Sequence, residues 1–243
     1  MNETPPKGER IAKVIARAGV SSRREAERWI NEGRVTLDGL RVESPALNVS
    51  PHANIQIDGK PLPAREAARL WRHHKPQGRL TTHRDPEGRP TIFERLPPEL
   101  ANAKPVGRLD MNSEGLLLLT NDGDLARRLE LPSTGWLRQY RVRVHGRIEA
   151  RALARLEKGV VIDGTRFRPA KAALERQLAT NAWLTISIRE GKNREVRRLM
   201  EHVGYTVNRL IRTAYGPFQL GNLPRGHVQE VPAQVIADQV PRG

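Results

Sequence analysis

The chain has 243 residues, which is long enough for one large domain or two smaller domains with buried cores. It contains 42 Lys and Arg against 27 Asp and Glu, a formal net charge of +15, and no cysteine. The lack of cysteine excludes disulfides, thiol nucleophiles and cysteine-ligated metal sites. No run of 18 apolar residues and no apolar secretory segment is present, so we expect a cytoplasmic protein without a membrane span.

The positive charge, most of it arginine, predicts a nucleic-acid partner because guanidinium groups suit bidentate contacts to phosphate. An anionic membrane surface is the weaker alternative, since no basic amphipathic anchor stands out. Aromatic residues make up only 4% of the chain, which disfavours a base-stacking platform for single strands. Recognition of folded RNA by shape and phosphate, or of duplex DNA, fits better.

Two helices and a hairpin are predicted near the N-terminus, after a disordered leader at residues 1–8. The first helix ends at Gly19, and the second begins at a capping box formed by Ser22 and Glu25. A hairpin follows, turning at Asp38-Gly39. Positive side chains recur on both helices with few acids between them, which favours a phosphate-binding surface over an ordinary solvated face. They are Lys13, Arg17, Arg23, Arg24, Arg28 and Arg34.

Residues 9–60 resemble an S4 RNA-binding domain. The resemblance lies in Ala16-Arg-Ala-Gly-Val-Ser-Ser-Arg-Arg-Glu-Ala-Glu27 and in Gly33-Arg34-Val35. It implies binding of structured RNA through the helical face, with Arg17, Arg23, Arg24 and Arg28 as RNA-binding residues.

A linker at 61–68 is predicted to lead into a second, α+β domain at 69–243. Residues 139–145 and 182–189 alternate between apolar and polar side chains, as in strands of a half-covered antiparallel sheet. Helical periodicity appears near 124–131, 149–157 and 193–203.

Asp110 stands just before the longest unbroken apolar run, Leu116–Leu119, which predicts a buried strand. A carboxylate on a loop beside a buried strand is held stiffly, as a catalytic group must be. On these residues alone, a structural ion pair between Arg108 and Asp110 is an equally open interpretation.

Several enzyme classes lack their motifs here. There is no phosphate-binding P-loop, no dinucleotide-binding glycine motif and no nucleophile elbow. His73 and His74 are adjacent and point to opposite faces of a strand, so we interpret them as polar residues near RNA or solvent and predict no metal site. The remaining chemistry is that of carboxylate, tyrosine and arginine. The candidates are Asp110 with Arg108, the phenol of Tyr140, and the cation-rich strand-to-helix segment 190–198, whose helix N-terminus favours anions.

These stretches resemble the pseudouridine synthases of the RsuA family, over nearly the whole chain. The matching motifs are Lys75-Pro-Gln-Gly78, Asp85-Pro-Glu-Gly-Arg-Pro-Thr91, Gly107-Arg-Leu-Asp110 with Gly115-Leu-Leu-Leu-Leu-Thr-Asn-Asp-Gly123, Gly191-Lys-Asn-Arg-Glu-Val-Arg197 and Arg212-Thr-Ala-Tyr-Gly-Pro-Phe-Gln-Leu220. The sequence of residues 191–197 is most similar to that of the subgroup that modifies large-subunit rRNA, the synthase B type. Two departures are a polar stretch, 70–74, where the family has an apolar strand, and Ser113 in place of threonine. We interpret 70–74 as an edge or RNA-facing strand.

The resemblance implies isomerisation of uridine to pseudouridine in ribosomal RNA, with 23S rRNA or a pre-ribosomal large subunit as partner. It implies a monomer, no cofactor, a large mainly antiparallel sheet flanked by helices, and flipping of the target base into the site. Asp110 is then the essential carboxylate, Arg197 its nearby cation, and Tyr140 packs on the uracil or removes its C5 proton. Packing is favoured because a phenol with a pKa near 10 is a poor base at pH 7. The remaining RNA contacts are assigned to Arg108, Lys75, Arg194 and Arg198.

Two other interpretations remain open from sequence. A non-catalytic rRNA-binding or assembly factor would keep the fold but has no need of Asp110, Tyr140 and Arg197 together. A DNA-binding regulator rests only on the net charge and the two N-terminal helices.

Overall fold

The computed structural model describes residues 8–131 and 134–240, which form two compact units. The first unit consists of residues 8–68 with 121–123, and the second contains the other described residues. Of the leader predicted at 1–8, all but Gly8 lies outside the described residues. No helix in the described ranges is long and apolar enough to cross a membrane.

The first unit packs two helices against short strands. Its elements are β1 (Glu9–Arg10), α1 (Ile11–Arg17), α2 (Arg23–Asn31), β2 (Val35–Leu37), β3 (Leu40–Arg41), β4 (Asn48–Val49), β5 (Ile55–Ile57) and β6 (Lys60–Pro61). The sheet order is β3-β2-β5-β6, and β1 pairs separately with β4. The Ser22 side chain accepts a hydrogen bond from the Glu25 backbone at 3.2 Å, so the capping box predicted there begins α2. The last strand of this unit, β6, includes Pro61, the first residue of the linker predicted at 61–68.

The second unit is built on one large sheet. Its elements are β7 (Leu70–Lys75), β8 (Lys104–Val106), β9 (Glu114–Thr120), α3 (Gly123–Glu130), β10 (Arg138–His145), α4 (Ala150–Leu156), β11 (Val160–Ile162), β12 (Thr165–Phe167), β13 (Lys171–Gln177), β14 (Asn181–Ile188), α5 (Glu195–His202), β15 (Val207–Tyr215), β16 (Phe218–Gln219), β17 (Val228–Glu230) and α6 (Ala233–Gln239). Short 3-10 turns lie at Phe93–Arg95 and Pro98–Leu100.

The strands of the large sheet run in the order β13-β14-β10-β15-β9-β7-β17, with β16 on β15 and β8 on β9. Neighbours are antiparallel except β9 and β15, which run parallel. The α+β class with a mainly antiparallel sheet is thereby confirmed. Helices α4 and α5 share one buried core with the inward side chains of β9, β10, β14 and β15.

Strand β7 corrects the interpretation of residues 70–74 as an edge strand. It lies between β9 and β17, so both of its edges are paired. Trp71, His73 and Lys75 point to the same side and are all buried. His73 is only 3% exposed, its Nδ1 lies 3.1 Å from the His227 carbonyl oxygen, and burial lowers its pKa to about 4. It is therefore a neutral interior residue rather than one near RNA or solvent.

Gly115 makes the parallel pairing of β9 and β15 possible. Its φ is +106°, and a Cβ at this position would lie 2.3 Å from the Arg212 carbonyl oxygen. Two neighbouring backbones therefore approach each other more closely than any side chain allows.

Replacing Gly115 with alanine should cost about 2–5 kcal/mol of unfolding free energy, because backbone strain and a backbone clash add together. The matched control is Gly226→Ala: Gly226 also has positive φ, +83°, but a Cβ there meets nothing within 4 Å. This control should lose only about 1–2 kcal/mol. Urea unfolding followed by circular dichroism measures both, and equal losses would contradict the close approach of β15.

Candidate active site

A cavity of ≈ 540 Å³ opens where the centre of the large sheet meets the start of α5. The loop before β9 contributes one wall, β10 and β15 contribute the floor, and the segment 191–196 contributes the opposite wall. Among its lining residues are the sequence-predicted Arg108, Asp110, Tyr140 and Arg194, together with Glu130, Lys192, Glu195, Leu210 and Arg212. The sheet thus brings together residues that are far apart in the chain.

The loop that carries Asp110 is held through its backbone by side chains from other segments. The Lys75 ammonium donates to the carbonyl oxygens of Asp110 at 3.1 Å and Ser113 at 2.8 Å. The Thr81 hydroxyl donates to the carbonyl oxygen of Leu109 at 2.9 Å. Two residues before Leu109, the Gly107 amide donates to a Glu130 carboxylate oxygen at 2.6 Å. The position of Asp110 therefore depends on four anchoring bonds outside its own side chain.

Lys75 is a correction to the predicted RNA contacts. Its side chain is completely buried, and burial lowers the pKa of the ammonium to about 8, against the attraction of Asp110 and Glu114. A group that is enclosed and bonded to three carbonyl oxygens, including that of Pro76, is not available to phosphate. Lys75 instead positions the loop of Asp110.

Arg197 is the second buried cation next to this loop. Its side chain donates to the carbonyl oxygens of Asn112 and Val207, each at 2.9 Å, and its Nε has no partner among the described residues. Burial lowers the pKa of the guanidinium, the nearby charge of Arg194 lowers it further, and the charge of Asp110 raises it. Arg197 therefore places positive charge beside Asp110 while its hydrogen bonds go to backbone.

The Asp110 carboxylate itself is left open. Within the described ranges it makes no hydrogen bond, and no cation lies within 4.0 Å of it. The Arg108 side chain is exposed and forms no ion pair with it, so the structural ion pair considered from sequence is absent. An ordered but unpartnered carboxylate in a cavity is free to act on a ligand.

Tyr140 and Arg212 lie opposite each other on β10 and β15 and both line the cavity. Arg212 is 3% exposed; its Nε donates to the Leu116 carbonyl oxygen at 2.7 Å, and its Nη2 has no partner among the described residues. The Tyr140 hydroxyl likewise makes no hydrogen bond to a described residue. Both groups leave hydrogen-bonding capacity for a ligand.

Arg212 was missed as a site residue from sequence. It begins the stretch 212–220 that resembles the family's closing motif, and it lies on the same side of β15 as buried Leu210 and Ala214. A charged residue in the inward register of a central strand was the available signal.

The start of α5 places two charges in the cavity and turns a third away. Arg194 adopts a left-handed conformation with φ of +49° and is exposed. Buried Glu195 accepts from the Lys192 amide at 2.9 Å, and burial raises its pKa. The Arg198 side chain instead donates to the Ile162 carbonyl oxygen at 3.1 Å and stacks on Phe167, so it does not line this cavity.

The predicted RNA-binding arginines of the first unit are more often paired with acids than the sequence suggested. Arg17 bonds Glu9, Arg23 lies 3.2 Å from Glu27, and Arg28 bonds Glu25. Arg24 is exposed and has no ion pair within 4.0 Å among the described residues. The pairs of Arg23 and Arg28 are exposed and therefore weak, which allows these two arginines to exchange a carboxylate for phosphate.

Lys75 should make the stability of the protein depend on pH. The unfolded chain keeps this proton up to about its ordinary value of 10.5 and the folded chain only up to about 8. Between these values the unfolded state binds more protons, so the unfolding free energy rises with pH, by up to about 3 kcal/mol. We expect this rise, measured by urea unfolding from pH 7 to 10.5, to disappear in Lys75→Met.

The control for that measurement is Lys171→Met, because Lys171 is exposed. Its pH curve should run parallel to that of the unchanged protein. If the pH curve of Lys75→Met also ran parallel to that of the unchanged protein, the lowered pKa of the buried Lys75 ammonium would be contradicted.

Comparison with known proteins agrees with this geometry. The family model for RNA pseudouridylate synthases matches residues 69–202, and the S4 domain model matches residues 9–55. A Rickettsia bellii protein named uncharacterized RNA pseudouridine synthase is 47% identical over 92% of this chain and 96% of its own length. The Shigella flexneri ribosomal large subunit pseudouridine synthase B is 46% identical over 90% of this chain and 78% of its own.

A solved structure described as a pseudouridylate synthase has the same fold. It superposes with a TM-score of 0.67 at 27% identity and covers 96% of this chain and 99% of its own. The chain belongs to the RNA pseudouridine synthase family and carries an S4 domain in front of its catalytic domain.

Proposed function

We propose that this enzyme converts a specific uridine of large-subunit rRNA, 23S rRNA, to pseudouridine. The names of the similar ribosomal large subunit pseudouridine synthases B support this substrate. The observation that carries the proposal is the unpartnered Asp110 carboxylate, which shares one cavity with Tyr140 and Arg212 and lies beside two buried cations.

The reaction rearranges one nucleotide without any added group. The bond between ribose C1′ and uracil N1 breaks, the uracil turns while it stays bound, and C5 joins C1′. C5 loses a proton and N1 gains one, so atoms and charge balance. Arg197 and Lys75 place positive charge beside the loop that carries Asp110. Three routes use this same carboxylate. Asp110 attacks C1′, or it attacks the uracil ring, or it removes a ribose proton to give a glycal.

Access to C1′ requires the target uridine to leave its helix and enter the cavity. The exposed side chains of Arg108 and Arg194 lie at the cavity wall, where they can hold the phosphates of the flipped nucleotide. The S4 domain supplies further phosphate contacts through Arg17, Arg23, Arg24 and Arg28, which position the RNA without reading its bases.

Tyr140 is proposed to contribute its hydroxyl as well as its ring. The ring can pack on the flipped uracil, as favoured from sequence. The hydroxyl has no protein partner in the described ranges, so it is free to relay the C5 proton by giving up its own proton as it accepts this one.

Asp110→Asn should lower isomerisation by about 10³-fold or more, because the amide can neither attack nor accept a proton. RNA affinity should stay within about 3-fold of the parent, since the side chain keeps its size. Tritium release from 5-tritiated uridine in a 23S rRNA transcript measures the first quantity, and filter binding measures the second. The control is Asp238→Asn on the exposed face of α6, which should keep full activity. Full activity in Asp110→Asn would refute the assignment.

Tyr140→Phe separates packing from proton transfer. The ring remains and the hydroxyl is lost, so we expect tritium release to fall by about 10²-fold or more, the usual contribution of a positioned acid or base. Tyr140→Leu removes both functions and should fall at least as far. Near-normal release by Tyr140→Phe would leave packing as the role of this residue.

A further inference from the structure

A second cavity of ≈ 630 Å³ lies on the catalytic unit beside the β11–β12 hairpin. Its charged lining residues are four cations and one carboxylate: Lys158, Arg166, Arg168, Lys192 and Glu190. The only carboxylate is already neutralised, because Glu190 lies 3.2 Å from the Lys192 ammonium and 3.4 Å from the Arg168 guanidinium. The cavity therefore presents a positive surface.

Two of these cations make no polar contact that stabilises the described part of the protein itself. Lys158 and Arg166 are exposed, and neither side chain has a hydrogen bond or an ion pair within the described ranges. Elsewhere on this unit exposed arginines commonly bond acids, as Arg69 does to Glu230 and Arg141 to Glu175. Arg166 lies on β12 and Lys158 lies two residues before β11, and the charge of both is available to an anion.

The second cavity adjoins the active-site cavity. Lys192 lines both, and the turn at residues 190–192 forms their common border. A ligand in the second cavity is therefore adjacent to whatever occupies the first.

The side chains that line the second cavity favour binding of an RNA phosphate backbone over binding of RNA bases. The single aromatic residue of the cavity, Phe167, is 1% exposed and is covered by Lys192 and Arg198, whose charged groups lie 5.3 and 4.9 Å from its ring centre. Bases therefore find no face to stack on, whereas phosphates meet several cations.

We propose that this cavity binds the phosphodiester backbone of the RNA strand that flanks the target nucleotide on one side. The inference rests on the proposed function, because the flanking strand is defined by the nucleotide in the active site. Lys158 and Arg166 hold phosphates, and Lys192 connects the two cavities. Contacts of this kind fix the register of the strand without selecting its sequence.

The first test compares Lys158→Gln/Arg166→Gln with Arg147→Gln/Arg176→Gln. Both double variants lose two exposed positive charges, but Arg147 and Arg176 lie outside both cavity linings. Binding to a 23S rRNA transcript is measured over a range of KCl concentrations. We expect the first variant to bind about 10-fold more weakly and to lose roughly 1–2 from the slope of log Kd against log salt. The second should change Kd less than about 2-fold.

The second test uses the absence of cysteine from the sequence. Val161 lines the cavity and is 62% exposed, so Val161→Cys accepts an iron chelate without disturbing the core. Hydroxyl radicals from this site should cut the strand on one side of the modified uridine. The control, Leu174→Cys, lies on β13 at 46% exposure outside both cavities and should not cut there.

Each outcome decides the inference. Equal affinities and salt slopes for the two double variants, or the same cuts from both cysteines, would overturn it and would leave the cavity to an acidic protein segment instead. Formation of pseudouridine by the unchanged enzyme is measured in parallel. If it forms none, the proposed function fails, whereas the salt slopes still decide whether this cavity binds RNA.

Discussion

The catalytic unit depends on two buried cations that bind backbone rather than a carboxylate. Lys75 holds the carbonyl oxygens of Asp110 and Ser113, and Arg197 holds that of Asn112. Because these bonds go to the loop and not to the Asp110 side chain, the loop is rigid while the carboxylate stays open. Both cations nevertheless place positive charge beside the carboxylate without forming a direct ion pair with it.

Such an arrangement costs stability, because hydrogen bonds to carbonyl oxygens offset only part of the hydration free energy that a buried cation loses. The lowered pKa of Lys75 expresses that cost directly. The charges of Asp110 and Glu114 offset some of it, and Glu114 is itself buried against Arg209 and Arg225. The active site and the middle of the sheet therefore form one electrostatic unit, in which removal of a single partner affects both folding and chemistry.

The sequence predicted the elements well where periodicity was strong and predicted side-chain direction poorly. The helix predicted at 193–203 and the buried strand at Leu116–Leu119 were found, because apolar spacing reports burial directly. Strand β7 was misjudged as an edge because its Arg and His residues resemble solvent-facing ones, although strands pair with it on both sides and His73 is buried. Lys75 was assigned to RNA for the same reason: a lysine in a motif does not reveal whether it points inward. Arg212 was overlooked because its position opposite Tyr140 depends on a pairing between strands distant in sequence.

The double anchorage of Arg212 has a consequence for how this enzyme can change over time. Its guanidinium bonds the Leu116 backbone and also lines the cavity, and its own backbone lies against Gly115. A substitution of Arg212 would disturb both the packing of the sheet and the cavity, so few other residues can be tolerated at this position. The exposed cations around the cavity do not hold the fold together in this way. New RNA targets can therefore be acquired by altering the periphery, while the centre that rearranges the nucleotide is inherited unchanged.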